Sequence, residues 1–150
     1  MSGLKTCGGF LIVTLLMTTP VAAQQPTPAG HVKIVTGAAF IVRQNTTMPA
    51  RPGDAVFATD TLRTQGNGTI GVTLADDTRV SLGPDSEMRL ERYVFAPADG
   101  ALGMVLNFVR GVAAYVSGRM AKLSPDAVRL ETPAAIVGVR GTTVVIKVGA

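Results

Sequence analysis

A period of eight residues between apolar positions in the middle of the chain limits the folds open to this sequence. Six residues carry the period: Val72, Leu74, Val80, Leu82, Met88 and Leu90. Within each unit apolar and polar residues alternate, which is typical of a strand with one buried face. Turn-forming residues at 75–77 and 83–85 separate the units. Eight residues are too few for a strand and a crossover helix, so the period predicts an antiparallel meander or a solenoid-like coil of short rungs.

The composition favours the same class of fold. The chain has 150 residues and is 47% apolar, which is enough for the core of one domain. It contains 17 glycines and 9 prolines but only 5% aromatic residues and no tryptophan, which favours many short strands over long helices. We therefore predict an all-β protein, built as a short-rung β-solenoid-like or β-sandwich-like stack of short strands.

The N-terminal residues predict a secretory signal. Lys5 precedes the apolar run Phe10 to Met17, and Val21 to Ala23 supply the small residues that a signal peptidase reads. The run is shorter than the roughly 20 residues that span a bilayer. We expect a cleaved signal peptide at 1–23, a flexible leader at 24–30 and a β domain at 31–150, with no stable membrane span after cleavage. The mature protein would then be periplasmic or secreted.

Cysteine and charge usage argue against several classes of ligand. Cleavage after Ala23 would remove Cys7, the only cysteine, and with it any disulfide, haem thioether or thiolate metal site. The 14 basic and 10 acidic residues are scattered without a run, which does not favour a nucleic-acid surface. The sequence therefore predicts no cofactor and no nucleic-acid partner.

Three features that resemble catalytic motifs are better explained as structure. The string GNGTIG at 66–71 has dinucleotide-binding spacing, but strand-like residues follow it, so we predict a tight turn between strands. Asp76 and Asp77 are neighbours on a turn, where we expect them to cap it and to face water. His31 is the only histidine, and we expect it on the surface at the start of the first strand. We predict no catalytic residue and no metal site.

Four motifs resemble the FecR-type domain of bacterial envelope proteins. They are a G-D step at Gly53 and Asp54, a D-x-x-x-T step at Asp60 and Thr64, a run similar to v-x-L-x-D-G-t-x-v-x-L with Asp77 in the place of glycine, and T-P-x-A-x-x-G-V-R-G-T at 132–142. The resemblance covers about residues 31 to 148. It implies a periplasmic β domain that serves regulation or protein contact without known catalysis.

The last of these motifs supplies a candidate partner-binding or structural site. Its residues are Thr132, Pro133, Gly138, Arg140, Gly141 and Thr142. We expect Thr132 and Pro133 at the start of a strand, and the two glycines where backbones approach closely or bend. Arg140 would cap carbonyls or meet a carboxylate such as Glu131 or Asp60, with Thr142 holding the turn. The alternative is that Arg140 grips a partner's carboxylate or a sugar acid.

The sequence ends at Ala150, where members of the resembled family commonly carry further strands, so we expect an open sheet edge near the C-terminus. The candidate edge strand contains Val144, Val145, Ile146 and Val148. Such an edge is suited to strand addition by an envelope protein or by a second copy of the chain.

Three functions compete at this point. The first is an exported, non-enzymatic module that binds a protein as a regulator, sensor piece or scaffold of the envelope. The second is a structural or carbohydrate-contacting module that presents a ladder of Thr73, Ser81 and Arg89. The third, which the single histidine disfavours, is a secreted metal-dependent hydrolase that uses Asp60, Asp76 and Asp77.

Overall fold

The protein is built of strands, as the sequence predicts. The computed structural model describes residues 26–139 and 143–149 and, before them, residues 3, 8, 9, 12, 14 and 17–21. Within these residues twelve strands form one curled, mostly antiparallel sheet. The strands are β1 (Gly30–Thr36), β2 (Ala39–Arg43), β3 (Thr46–Pro49), β4 (Ala55–Val56), β5 (Thr61–Thr64), β6 (Thr69–Leu74), β7 (Arg79–Leu82), β8 (Glu87–Ala96), β9 (Ala101–Val116), β10 (Val128–Glu131), β11 (Ile136–Gly138) and β12 (Thr143–Val148).

Helical structure is limited to short connections. One α-helix, α1 (Arg119–Leu123), follows β9, and 3-10 turns occupy Pro97–Asp99 and Pro125–Ala127. Within the described ranges, no helix has the length and apolar character needed to cross a bilayer.

The strands divide into two halves that share β9. The β12 half has the order β4, β1, β6, β7, β9, β12, and the β11 half has the order β3, β2, β5, β8, β9, β10, β11. Residues 101–110 of β9 pair with β8, and residues 111–116 pair with β12. Among the described strands every pair is antiparallel except β9 with β10. The chain therefore adopts paired antiparallel strands and not a coil of parallel rungs.

Two of the three eight-residue units lie side by side, and the third does not. In β6 and β7, Val72 is opposite Val80. In contrast, β8 lies in the other half, where Met88 is opposite Leu62 and Phe108. All six residues of the period are buried, at 4% exposure or less. The period thus predicted which side chains face the core but not all the strand neighbours, because the turn after β7 carries the chain from one half to the other.

The corner where β9 passes between the halves depends on Gly111. Its φ is +88°, and a Cβ placed there would lie 2.6 Å from Ser86 Cα and 2.7 Å from the backbone oxygen of Asp85. Ser86 Oγ accepts a hydrogen bond from Val112 N at 2.9 Å. Thr64 Oγ1 accepts one from Ser86 N, also at 2.9 Å, and donates to the Gly83 carbonyl at 2.6 Å. Two buried hydroxyls therefore tie β5, β9 and the turn before β8 together.

The turn between β6 and β7 is anchored by Asp76, which is fully buried. Its carboxylate accepts hydrogen bonds from Thr78 Oγ1 at 2.6 Å, from Tyr93 Oη at 2.9 Å and from Met120 N at 3.2 Å. The expectation that Asp76 faces water is wrong, because β8 and α1 cover the turn and supply donors. Burial, together with the negative charge of Asp76, raises the pKa of Tyr93, which keeps this hydroxyl protonated and able to donate.

Asp77, by contrast, is exposed and has a φ of +68°. This left-handed conformation explains why the motif of the resembled family has glycine at this position. The only ion pair of Asp77 among the described residues joins its Oδ2 to Arg119 Nε at 3.3 Å, and both side chains are more than half exposed.

We expect Gly111→Ala to destabilise the fold by about 2 kcal/mol or more, because it adds a strained φ and an overlap with backbone atoms. The matched control is Gly138→Ala, where an added Cβ would meet nothing within 4 Å. The control should change the free energy of unfolding by less than about 0.5 kcal/mol. Urea unfolding followed by circular dichroism measures both, and equal midpoints for the two variants would contradict the assignment.

We expect the Asp77→Gly variant to be more stable than Asp77→Ala by about 1 kcal/mol, because only glycine adopts the left-handed conformation without strain. Both variants lack the carboxylate, so the exposed ion pair with Arg119 does not enter the difference. The comparison uses the same urea unfolding curves. An alanine variant as stable as the glycine variant would show that the turn relaxes to another conformation.

Candidate functional site

The strongest candidate site is the outer edge of β12. This strand pairs with residues 111–116 of β9, from Thr143 opposite Val116 to Val148 opposite Gly111. The other side of β9 is already paired with β7. In the part of the chain that the structure describes, β12 has no second neighbour. Within the described ranges it is therefore a terminal strand whose outer edge is open.

The direction of the backbone groups on β12 follows from the neighbouring strands. Gly83 N donates to Val112 O at 2.8 Å, so Val112 directs its backbone groups towards β7. Because successive residues of a strand direct these groups to opposite sides, Ala113 and Tyr115 direct theirs towards β12. Their opposite residues on β12 are Ile146 and Val144.

By the same alternation, Val148 also directs its backbone groups towards β9, and the other three residues of β12 direct their backbone N–H and C=O groups away from the sheet. These residues are Thr143, Val145 and Lys147. Their side chains lie on the outer face, where Val145 is 69% exposed, whereas Ile146 on the core face is 8% exposed. With respect to the described residues, the edge thus offers an alternating row of unpaired donors and acceptors beside an exposed apolar side chain.

Three other strands have a single partner in the described residues, and all of them are shorter. β3 has four residues, β4 two and β11 three, compared with six for β12. β3 also ends at Pro49, which has no N–H to offer to a neighbour. Short strands and prolines are common means by which proteins block unwanted strand pairing. On β12 the only such feature among the described residues is the charge of Lys147.

The predicted motif at 132–142 is only partly described by the structure. Thr132 N donates to Ala135 O at 2.9 Å, and Ala135 N donates to Thr132 Oγ1 at 3.1 Å. Thr132 and Pro133 thus belong to the tight turn between β10 and β11 instead of starting a strand. Gly138 lies on β11 opposite Arg129, and none of the described residues approaches its backbone so closely that glycine is required there. Arg140, Gly141 and Thr142 lie outside the described residues.

Asp60, one of the carboxylates expected near Arg140, is occupied by Arg43. The Arg43 guanidinium binds it in a bidentate manner, with Nε 2.9 Å from Oδ1 and Nη2 2.7 Å from Oδ2. Phe57 N donates to the same carboxylate at 2.9 Å, and the guanidinium lies 4.5 Å from the centre of the Phe57 ring. The hydrogen bond with Asp60 raises the pKa of Arg43. The D-x-x-x-T motif is therefore structural, since Thr64 also belongs to the corner beside Gly111.

The proposed ladder of polar residues is split between the two halves. Thr73 and Ser81 lie on β6 and β7 of the β12 half. Arg89 lies on β8, opposite Thr61 and Asn107 in the β11 half. The three side chains do not form one continuous surface for a sugar chain.

The remaining motifs take structural roles. At the GNGTIG string, Gly68 N donates to Gln65 O at 2.9 Å, and the strand β6 follows directly, which confirms the predicted turn. The turn joins strands of different halves and is not a hairpin. His31 is exposed on β1, as expected. The described residues contain no group of three or more His, Cys, Asp and Glu side chains placed to hold a metal ion.

Comparison with known proteins identifies the family. The family model described as FecR protein matches residues 60–150, which is more than half of the chain. No curated protein matches the chain, and no solved structure does. The matched region includes Asp60, the turn at Asp76 and the β12 edge. FecR proteins form a regulatory, non-enzymatic family associated with the bacterial envelope. The chain therefore belongs to the FecR family.

Proposed function

We propose that this chain is an exported, non-enzymatic module of the bacterial envelope that acts as a regulator, sensor piece or scaffold by binding a strand of another envelope protein at the β12 edge. Membership of a regulatory family supports the general role. The signal peptide expected at 1–23 would place the mature chain in the periplasm or outside the cell.

The open edge of β12 is the observation that carries this proposal. Thr143, Val145 and Lys147 offer the backbone groups that an added strand needs. Strand addition forms backbone hydrogen bonds and requires no catalytic group, which is in keeping with a regulatory, non-enzymatic family. The motif residues Arg140 to Thr142 directly precede β12 in sequence, so we propose that they contribute to recognition of the partner's side chains.

The other two functions receive no support from a specific feature. The polar ladder for a sugar chain is divided between the two halves. Asp60 and Asp76, which a metal-dependent hydrolase would need, are each held in a separate buried hydrogen-bond network.

We expect Val145→Pro to abolish partner binding without unfolding the chain. The N–H of Val145 points away from β9, so proline removes a donor at the free edge and no bond of the ladder. The matched control is Val145→Thr, which keeps the N–H and a β-branched side chain. Ile146→Pro removes a ladder bond instead, which leaves a carbonyl of β9 unpaired, and should destabilise the fold by about 1–3 kcal/mol.

The measurement is capture from envelope extract on the immobilised full chain, with quantitative mass spectrometry of the retained proteins. An envelope protein held by the wild type and by Val145→Thr should drop at least tenfold with Val145→Pro, while the thermal unfolding curve of Val145→Pro stays cooperative. Equal retention by all three chains would place the contact elsewhere. Retention of no envelope protein would favour a purely structural module.

A further inference from the structure

We propose that, in the purified protein, the open edge of β12 pairs with β12 of a second copy. The two strands run antiparallel, and the two-fold axis passes between the two Val145 residues. The inference rests on the proposed function, because it uses the same open edge. The second copy and an envelope protein would then compete for the same backbone groups.

The register follows from the backbone directions on β12. In an antiparallel pair, residues that exchange hydrogen bonds must both direct their backbone groups towards the partner strand. On β12 only Thr143, Val145 and Lys147 do so among the described residues. Placing Val145 opposite Val145 of the second copy puts each Thr143 opposite a Lys147. This is the register in which all three residues find a partner within β12, and it forms about six hydrogen bonds.

The side chains are compatible with this register. On the outer face the two Val145 side chains become neighbours, and apolar β-branched pairs across strands are stabilising. On the core face each Val144 stands opposite an Ile146. Lys147 stands opposite Thr143 and not opposite the Lys147 of the second copy, so like charges do not face each other directly. The only charged side chain of the strand therefore does not oppose self-pairing.

The outer face of the β12 half is continuous up to this edge. One row of residues crosses its strands from β1 to β12: Ile34, Gly71, Ser81, Ala114 and Val145. The three central residues are small, while Ile34 and Val145 are 61% and 69% exposed. The proposed pairing extends this row across the two-fold axis and covers part of Val145, one of the more exposed apolar side chains of the described sheet.

A two-fold pair also ends the assembly at two chains. Each copy uses the same edge, so the contact is isologous and leaves no complementary edge for a third copy. The other strands with one partner in the described residues, β3, β4 and β11, are too short to continue a sheet effectively. A discrete dimer is therefore expected, and not a fibre.

Sedimentation velocity of the full chain tests the dimer. The wild type and Val145→Thr should sediment as dimers, and Val145→Pro should raise the dissociation constant at least tenfold. A wild type that stays monomeric at about 100 μM would overturn the inference. A Val145→Pro variant that dimerises as well as the wild type would overturn it too, because the contact would then lie on another surface.

Cysteine cross-linking tests the register, in a Cys7→Ser background that removes the natural thiol. Val145→Cys should form a disulfide-linked dimer with itself, because residues opposite each other in a hydrogen-bonded pair lie within disulfide range. Thr143→Cys and Lys147→Cys should each remain monomeric on a reducing-agent-free gel and should cross-link when the two variants are mixed. Self-cross-linking of either one alone, or none in the mixture, would overturn the proposed register.

The two proposals fail in different ways. A monomeric wild type whose capture of an envelope protein depends on the N–H of Val145 would overturn the dimer and leave the proposed function standing. A dimer with the predicted cross-links that captures no envelope protein, even when the chain is diluted until it is monomeric, would support the inference and overturn the protein-binding function.

Discussion

The structure depends on one strand that serves two halves of a sheet. β9 has 16 residues, and it pairs with β8 and β10 over one part and with β7 and β12 over the other. The change occurs at Gly111, whose backbone lies against Ser86 so closely that no side chain fits between them. Both the core and the candidate site depend on this change of partners at Gly111, because residues 111–116 of β9 are those that pair with β12.

Two buried carboxylates hold neighbouring segments of the chain together around β9. Asp60 and Asp76 are 1% and 0% exposed, and each has several donors within hydrogen-bond distance. A buried charge is costly when it is unpaired, so each of these donors stabilises the fold by helping to compensate the carboxylate. The two networks therefore specify where the turn before β5 and the turn before β7 must lie. Neither of these two carboxylates is left without hydrogen-bond donors.

The sequence predicted the fold class and the buried residues of the eight-residue period, because these depend on local alternation and on turn residues. It did not predict the burial of Asp76, since its donors Tyr93 and Met120 lie 17 and 44 residues away. The pairing of Arg43 with Asp60 was missed for the same reason. The position of an arginine at the end of an alternating strand could, however, have indicated that it pairs with a carboxylate. The position of β8 in the other half also required the three-dimensional structure, because spacing carries no information on which strand becomes a neighbour.

The continuity of β9 also has a mechanical consequence. A force along β12 loads the hydrogen bonds between β12 and β9 in shear, where they share the load. From there the covalent backbone of β9 carries the load past Gly111 into the half that contains β8 and β10. Tension applied at the C-terminal strand thus reaches both halves of the sheet through a single polypeptide segment, without a flexible linker in between.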